Sequence, residues 1–161
     1  MQLTPQQREA LASLIASELE MAESMLELLK NEHAALTAEN PDSIKAASQE
    51  KLQHMQLMEQ NIRQRNQFLQ RLELTTDEQG IETAVAAAGQ SSQLNSNWNN
   101  LKEIAKELQK QNEINGGIIA IGQRRIKQAL DILSGKESLT GTYSQNGETE
   151  YSKSNNLHTK A

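Results

Sequence analysis

LNSNWNNLKEIAKELQKQNEINGGIIAIGQRRIKQALDILS, from Leu94 to Ser134, is the stretch on which the fold turns. Read in alternating steps of four and three it gives Leu94, Trp98, Leu101, Ala105, Leu108, Asn112, Asn115, Ile119, Gly122, Ile126, Ala129 and Leu133. An unbroken 4-3 alternation marks one side of a long helix. Two polar positions, Asn112 and Asn115, interrupt the seam. A buried Asn costs stability but fixes register or partner choice, because a single alignment gives its amide a hydrogen-bond partner. Beyond that pair the apolar side widens. Ile114, Ile118, Ile121 and Ile132 form a second stripe beside Ile119, Ile126 and Leu133, broad enough to touch more than one neighbouring helix.

The remaining composition agrees with helices. The chain has 161 residues, enough for one domain or one domain and a tail. Its aromatic residues are Phe68, Trp98, Tyr143 and Tyr151, so the core candidates are Leu, Ile, Met and Ala, the residues of helical bundles more than of sheets. Cysteine is absent, which removes disulfides and thiolate metal sites and fits a reducing compartment. The longest apolar run, Ile118 to Ile121, falls far short of the roughly 20 residues of a membrane helix. Gln2, Thr4, Gln6 and Gln7 do not read as a signal-peptide region, and the chain is expected to be cytoplasmic.

The formal net charge of -5 is localised. Residues 1–39 hold seven acidic and two basic side chains, whereas 40–75 hold four and five. An acidic first helix beside a mildly basic second one suits antiparallel neighbours, although exposed ion pairs contribute only about 0–1 kcal/mol each. The dense basic face of a nucleic-acid binder is missing.

Thr4, Pro5 and Gln7 open the first helix as N-cap, first-turn proline and capping-box partner. Its seam is Ile15, Leu19, Ala22, Leu26, Leu29, His33 and Leu36, with His33 packed and hydrogen-bonded. Asn40 and Pro41 stop that helix and start the next, a connection short enough to make an antiparallel hairpin. The second helix carries Ile44, Leu52, Met55, Met58, Ile62, Leu69 and Leu72 on its inner side. Thr76 can cap a short helix that Gly80 weakens and Gly89 stops; Ile81 to Ala88 fits both a separate helix and an extension of the last one. Helices are thus expected over about 5–38, 41–74, 77–88 and 90–134 in a bundle spanning about 1–135. The first two, about 34 residues each, span roughly 50 Å and the last roughly 65 Å, so the last is expected to overhang its partners. Gly135 ends it, and 136–161 read as a flexible polar tail. The fold class is all-α: long antiparallel helices in a coiled-coil-like bundle.

Catalytic chemistry is not legible. His33, His54 and His158 are too scattered for a metal or nucleophile motif, and Gln123 and Arg124 stand where a phosphate loop following Gly117 and Gly122 needs Lys and Ser or Thr. Arg124, Arg125 and Lys127 read as a solvated helix face. No enzyme activity, cofactor, metal, nucleic acid or membrane insertion is expected.

The segment Leu28-Leu29-Lys30-Asn31-Glu32-His33-Ala34-Ala35-Leu36, followed by Asn40, Ile44 and Lys51, resembles the first hairpin of the flagellar export chaperones of the FlgN family. Asn112, Asn115, Gly116, Ile118, Ile119, Ala129-Leu130, Ile132-Leu133, Gly135, Tyr143 and Gly147 extend the resemblance over nearly the whole chain to Gly147. The chain departs from the family at Tyr143-Ser144-Gln145, where Tyr-Gly-Pro or similar is common, and 148–161 have no match. The resemblance implies a cytosolic chaperone that binds the C-terminal amphipathic helices of hook-associated proteins, prevents their premature assembly and delivers them to the type III export gate. On that reading Asn115, Ile118, Ile119, Gly122, Ile126, Ala129, Ile132 and Leu133 form the cargo site, and Tyr143 docks on the export gate. Two alternatives stay open. The isoleucines can close an intramolecular bundle or a homodimer, and the whole chain can be a structural, homo-oligomeric coiled coil or adaptor without an export role.

Overall fold

The computed structural model describes residues 2–89 and 92–133. Among the described residues the only regular elements are helices: α1 (Pro5–Thr37), α2 (Pro41–Arg71), α3 (Glu78–Ala87) and α4 (Ser92–Leu133). The chain divides into two compact units, Met1–Ile121 and Gly122–Ala161, so residues 122–133 of α4 belong to the second. The tail expected over 136–161, Tyr143 included, lies outside the described residues.

Local chemistry sets the helix ends in the first unit. The Thr4 hydroxyl accepts from the Gln7 N–H at 3.2 Å while the Gln7 side chain accepts from the Thr4 N–H at 2.9 Å, a reciprocal cap followed by Pro5. At the other end of α1, Glu39 is left-handed (φ 52), its N–H donating to the Leu36 carbonyl and that of Asn40 to the Ala35 carbonyl. That paired closure usually employs glycine. The Asn40 side chain then accepts from the Ser43 N–H at 3.1 Å and opens α2. The same closure recurs at Glu73 (φ 59), where the Leu74 N–H donates to the Leu69 carbonyl. It stops α2 at Arg71, short of the expected Leu74, and folds Leu74 back against the core.

α3 is a separate helix. Asp77 caps it, accepting from the Gly80 N–H at 3.0 Å and from the Thr75 hydroxyl at 2.6 Å. Gly80, expected to weaken this helix, is instead required there: a Cβ would lie 1.8 Å from the Thr75 carbonyl oxygen. Gly89, at φ 87, turns the chain after Ala88 towards α4.

The core joins Leu11, Ile15 and Ala22 of α1 to Leu69 of α2, Ile81, Ala84 and Val85 of α3, and Leu94, Trp98 and Leu101 of α4. Each Leu or Ile fully buried there contributes about 1.5–3 kcal/mol. Contacts of Glu18 with Arg65 and of Glu32 with Lys51 show α1 and α2 antiparallel. Leu94, Trp98 and Leu101 share the core with Leu11, Ile15 and Ala22, while Asn115, further along α4, reaches Leu29 and Glu32, so α4 runs in the same direction as α1.

Two expected faces are rotated. Leu52 and Met55 do not lie on the inner side of α2; they are 59 % and 52 % exposed. Their place towards α1 is taken by Ala47, Lys51, His54, Asn61 and Arg65. On α4 the seam keeps Leu94, Trp98, Leu101, Leu108 and Asn115, but beyond Leu101 the positions between them shift back by one residue. Ile104, Gln111 and Ile118 turn inward, while Ala105, Asn112 and Ile119 are exposed. Asn112 therefore does not interrupt the core, and Asn115 alone of the pair does.

Candidate functional site

The α1–α2 seam is built from polar pairs as well as leucines. Leu11, Ile15, Glu18, Ala22, Met25, Leu29, Glu32 and Leu36 follow the 4-3 alternation on α1, and all are buried. Arg65 of α2 donates to the Glu18 carboxylate at 2.5 Å, and Asn61 donates to the Ser17 hydroxyl at 2.8 Å. His54 Nε2 lies 2.8 Å from the Met21 carbonyl, an acceptor that places the proton on that nitrogen. Burial pushes the Glu18 carboxyl above its ordinary value, outweighing the pull of the Arg65 guanidinium in the opposite direction.

Asn115 forms the second polar cluster. Its amide donates to the Leu29 carbonyl at 2.8 Å and to Glu32 Oε2 at 2.9 Å, while its oxygen sits 3.2 Å from His33 Nδ1 and accepts from Gln111 at 3.0 Å. Glu32 Oε1 accepts in turn from Lys51 of α2 at 2.5 Å. One buried amide and one buried carboxylate thus tie α4, α1 and α2 together. The sequence places His33 and Asn115 on a seam but leaves Glu18, Asn61 and Arg65 unmarked, and it marks Glu32 and Lys51 only as part of the family resemblance and not as seam partners. The signal was present as opposite charges at matching steps: Glu18 and Glu32 lie on the 4-3 series of α1, and Lys51 and Arg65 on that of α2.

The expected cargo residues divide accordingly. Asn115 is 1 % exposed with both ends of its amide committed inside the first unit, so it is a core residue and does not face outward. Ile118 is half-buried, Ile119 is exposed, and Ile114 and Ile121 beside them are exposed too. In the second unit Gly122 is half-buried and Ala129 exposed, while Ile126, Ile132 and Leu133 are 63 %, 70 % and 83 % exposed. Apolar side chains left in water along one helix are a feature of interaction surfaces. Tyr143 lies outside the described residues.

Among the described residues no three His, Cys, Asp or Glu side chains gather as a metal would require, and no helix is long and apolar enough to cross a membrane. The family model described as FlgN protein matches residues 1–151. No curated protein and no solved structure matches the chain.

Proposed function

The chain belongs to the FlgN family of flagellar chaperones, and from that premise we propose that it is a cytoplasmic export chaperone for hook-associated proteins. It binds their C-terminal amphipathic helices, keeps them from assembling early and delivers them to the type III export gate. The observation that carries this reading is the exposure of Ile119, Ile126, Ile132 and Leu133 along α4. An amphipathic helix buries its apolar face by lying against such residues, with anchors recurring at steps of three and four. Ile118, Ile119, Gly122, Ile126, Ala129, Ile132 and Leu133 form the cargo surface, and Tyr143 docks on the gate. Asn115 has the different task of holding α4 in register on α1. Capture of this kind needs neither cofactor nor catalytic step. The same exposed isoleucines also favour a second reading, in which two copies of the chain cover each other.

The test is Ile126→Asp combined with Leu133→Asp. Both side chains are mostly in water, so the charges leave the free chain folded, whereas an unpaired carboxylate buried under a partner helix costs several kcal/mol. The double variant is expected to keep its helical circular dichroism and to lose hook-associated proteins in a pull-down from native cytosol. Undiminished capture refutes the proposed surface, and loss of self-association in place of capture favours the homodimer.

A further inference from the structure

Gly116 and Gly117 stand side by side in the interior of α4, directly after Asn115. Glycine is normally kept for one of two reasons, a backbone that needs positive φ or a neighbour too close for a Cβ. The other glycines of the first unit show one each. Gly89 sits at φ 87, and a Cβ on Gly80 would lie 1.8 Å from the Thr75 carbonyl oxygen. At Gly116 and Gly117 neither reason holds. Both lack a positive φ, both are exposed, and a Cβ added to either meets no surrounding atom within 4 Å. Packing inside the chain therefore does not call for them, and what remains is their effect on the helix itself.

That effect falls at a definite place. Each glycine favours opening of a helix about fivefold relative to alanine, and an adjacent pair roughly twenty-five-fold. Ile118, Ile119 and Ile121 follow, and their β-branched side chains lower helix propensity further. The weak stretch begins where the fixed one ends. The Asn115 amide donates to the Leu29 carbonyl and to Glu32, which in turn holds Lys51, so α4 is fastened to the α1–α2 hairpin up to that residue. Helical hydrogen bonds run from each N–H to the carbonyl four residues earlier, so those donated by residues 118–121 bridge the glycine pair. Ile118 is half-buried, whereas Ile114, Ile119 and Ile121 are exposed. Opening at the pair adds Ile118 to the apolar surface offered to a partner.

We propose that Gly116 and Gly117 form a hinge: α4 opens locally there while Asn115 keeps the preceding part seated, and Ile118 comes out to join Ile119 and Ile121 against the cargo helix. The inference rests on the chaperone reading and adds to it a conformational step at the start of the cargo surface. Capture draws on the opened form, so affinity follows the population of that form. Amide hydrogen exchange on the full chain reads the hinge without any partner. Binding of synthetic peptides spanning the C-terminal helical segment of a hook-associated protein reads its use. Gly116→Ala combined with Gly117→Ala is expected to slow exchange at 118–121 roughly twenty-five-fold, either change alone about fivefold, and to weaken peptide binding by similar factors. Asn112→Ala raises helix propensity at an exposed position on the seated side of Asn115 and is expected to alter neither. Exchange that is not slowed overturns the hinge, and slowed exchange with undiminished binding overturns its part in capture. Binding weakened by one single change and not by the other assigns the effect to a methyl group in the partner's way and likewise overturns it. If the parent chain binds no peptide, the chaperone reading fails and the capture step with it, while the exchange result still decides the hinge.

Discussion

The Asn115 amide and the Glu32 carboxylate, 2.9 Å apart and each 1 % exposed, lock α4 onto α1. A slide of one residue along either helix would separate them and leave a buried carboxylate short of a donor. Register here is set by a hydrogen bond that the apolar seam alone could not specify.

Replacing Asn115 by Leu keeps approximate volume but strips donors from Glu32 and from the Leu29 carbonyl. Leaving buried partners unsatisfied costs about 1–3 kcal/mol, more when one is charged. Urea denaturation of Asn115→Leu is expected to show a loss of about 2–3 kcal/mol. A variant as stable as the parent would show that the amide has no role in register.

Glu18 governs a pH dependence of definite sign. Because burial raises its folded pKa, the folded chain holds the proton more tightly than the unfolded one. The stability from this group is complete below its unfolded value and is lost as pH rises through the folded one. The Glu18 contribution to the melting temperature is therefore expected to fall as pH rises above the ordinary carboxylate range, and Glu18→Gln to remove that part of the pH dependence. Asp77 acts in the opposite sense, since the Thr75 hydroxyl and then the Gly80 N–H hold its pKa down; its contribution is lost as pH falls through the folded value. Parallel melting profiles for the parent and Glu18→Gln would remove Glu18 from the account.

Glu39 occupies a left-handed position at the end of α1, a conformation that costs a side-chain-bearing residue about 1–2 kcal/mol. Glu39→Gly relieves that cost but loosens the unfolded chain, for a net gain of about 1 kcal/mol. Glu39→Ala, which retains the Cβ, serves as the control and is expected to gain nothing. Equal melting temperatures for the two variants would refute the strain.

Delivery separates from capture at Tyr143. The residue lies beyond the proposed cargo surface in sequence, eight residues past Gly135. Removing an aromatic anchor commonly costs about 2 kcal/mol, a roughly thirtyfold weaker contact. Tyr143→Ala is expected to capture hook-associated proteins in a pull-down yet fail to support their export in cells. Normal export by the variant would end the docking role.

The long helices could be read directly, because a 4-3 alternation of apolar residues needs no knowledge of the partner. Their starts were equally plain: Thr4, Pro5, Gln7 and Asn40 act through neighbours three residues away. The polar seam was hidden because Glu18 meets Arg65 across 47 positions, and a search for apolar periodicity assigns every charge to the outside. The one-residue shift between Ala105 and Ile104 was hidden for a related reason. Both lie on an amphipathic face, and only the placement of α1 decides which turns inward. Gly80 showed the opposite difficulty: its sequence reveals a weak helix former, while its necessity lies in the Thr75 backbone beside it.

The charges of the hairpin also decide what α1 must not pair with. Its buried stripe carries glutamates at 18 and 32, whereas the facing stripe of α2 carries Lys51 and Arg65. Two copies of α1 meeting face to face would enclose carboxylates with no cation to answer them, a much larger loss than their leucines could offset. The hairpin is thereby self-sorting. Charge separates its own α2 from another acidic helix before packing distinguishes them.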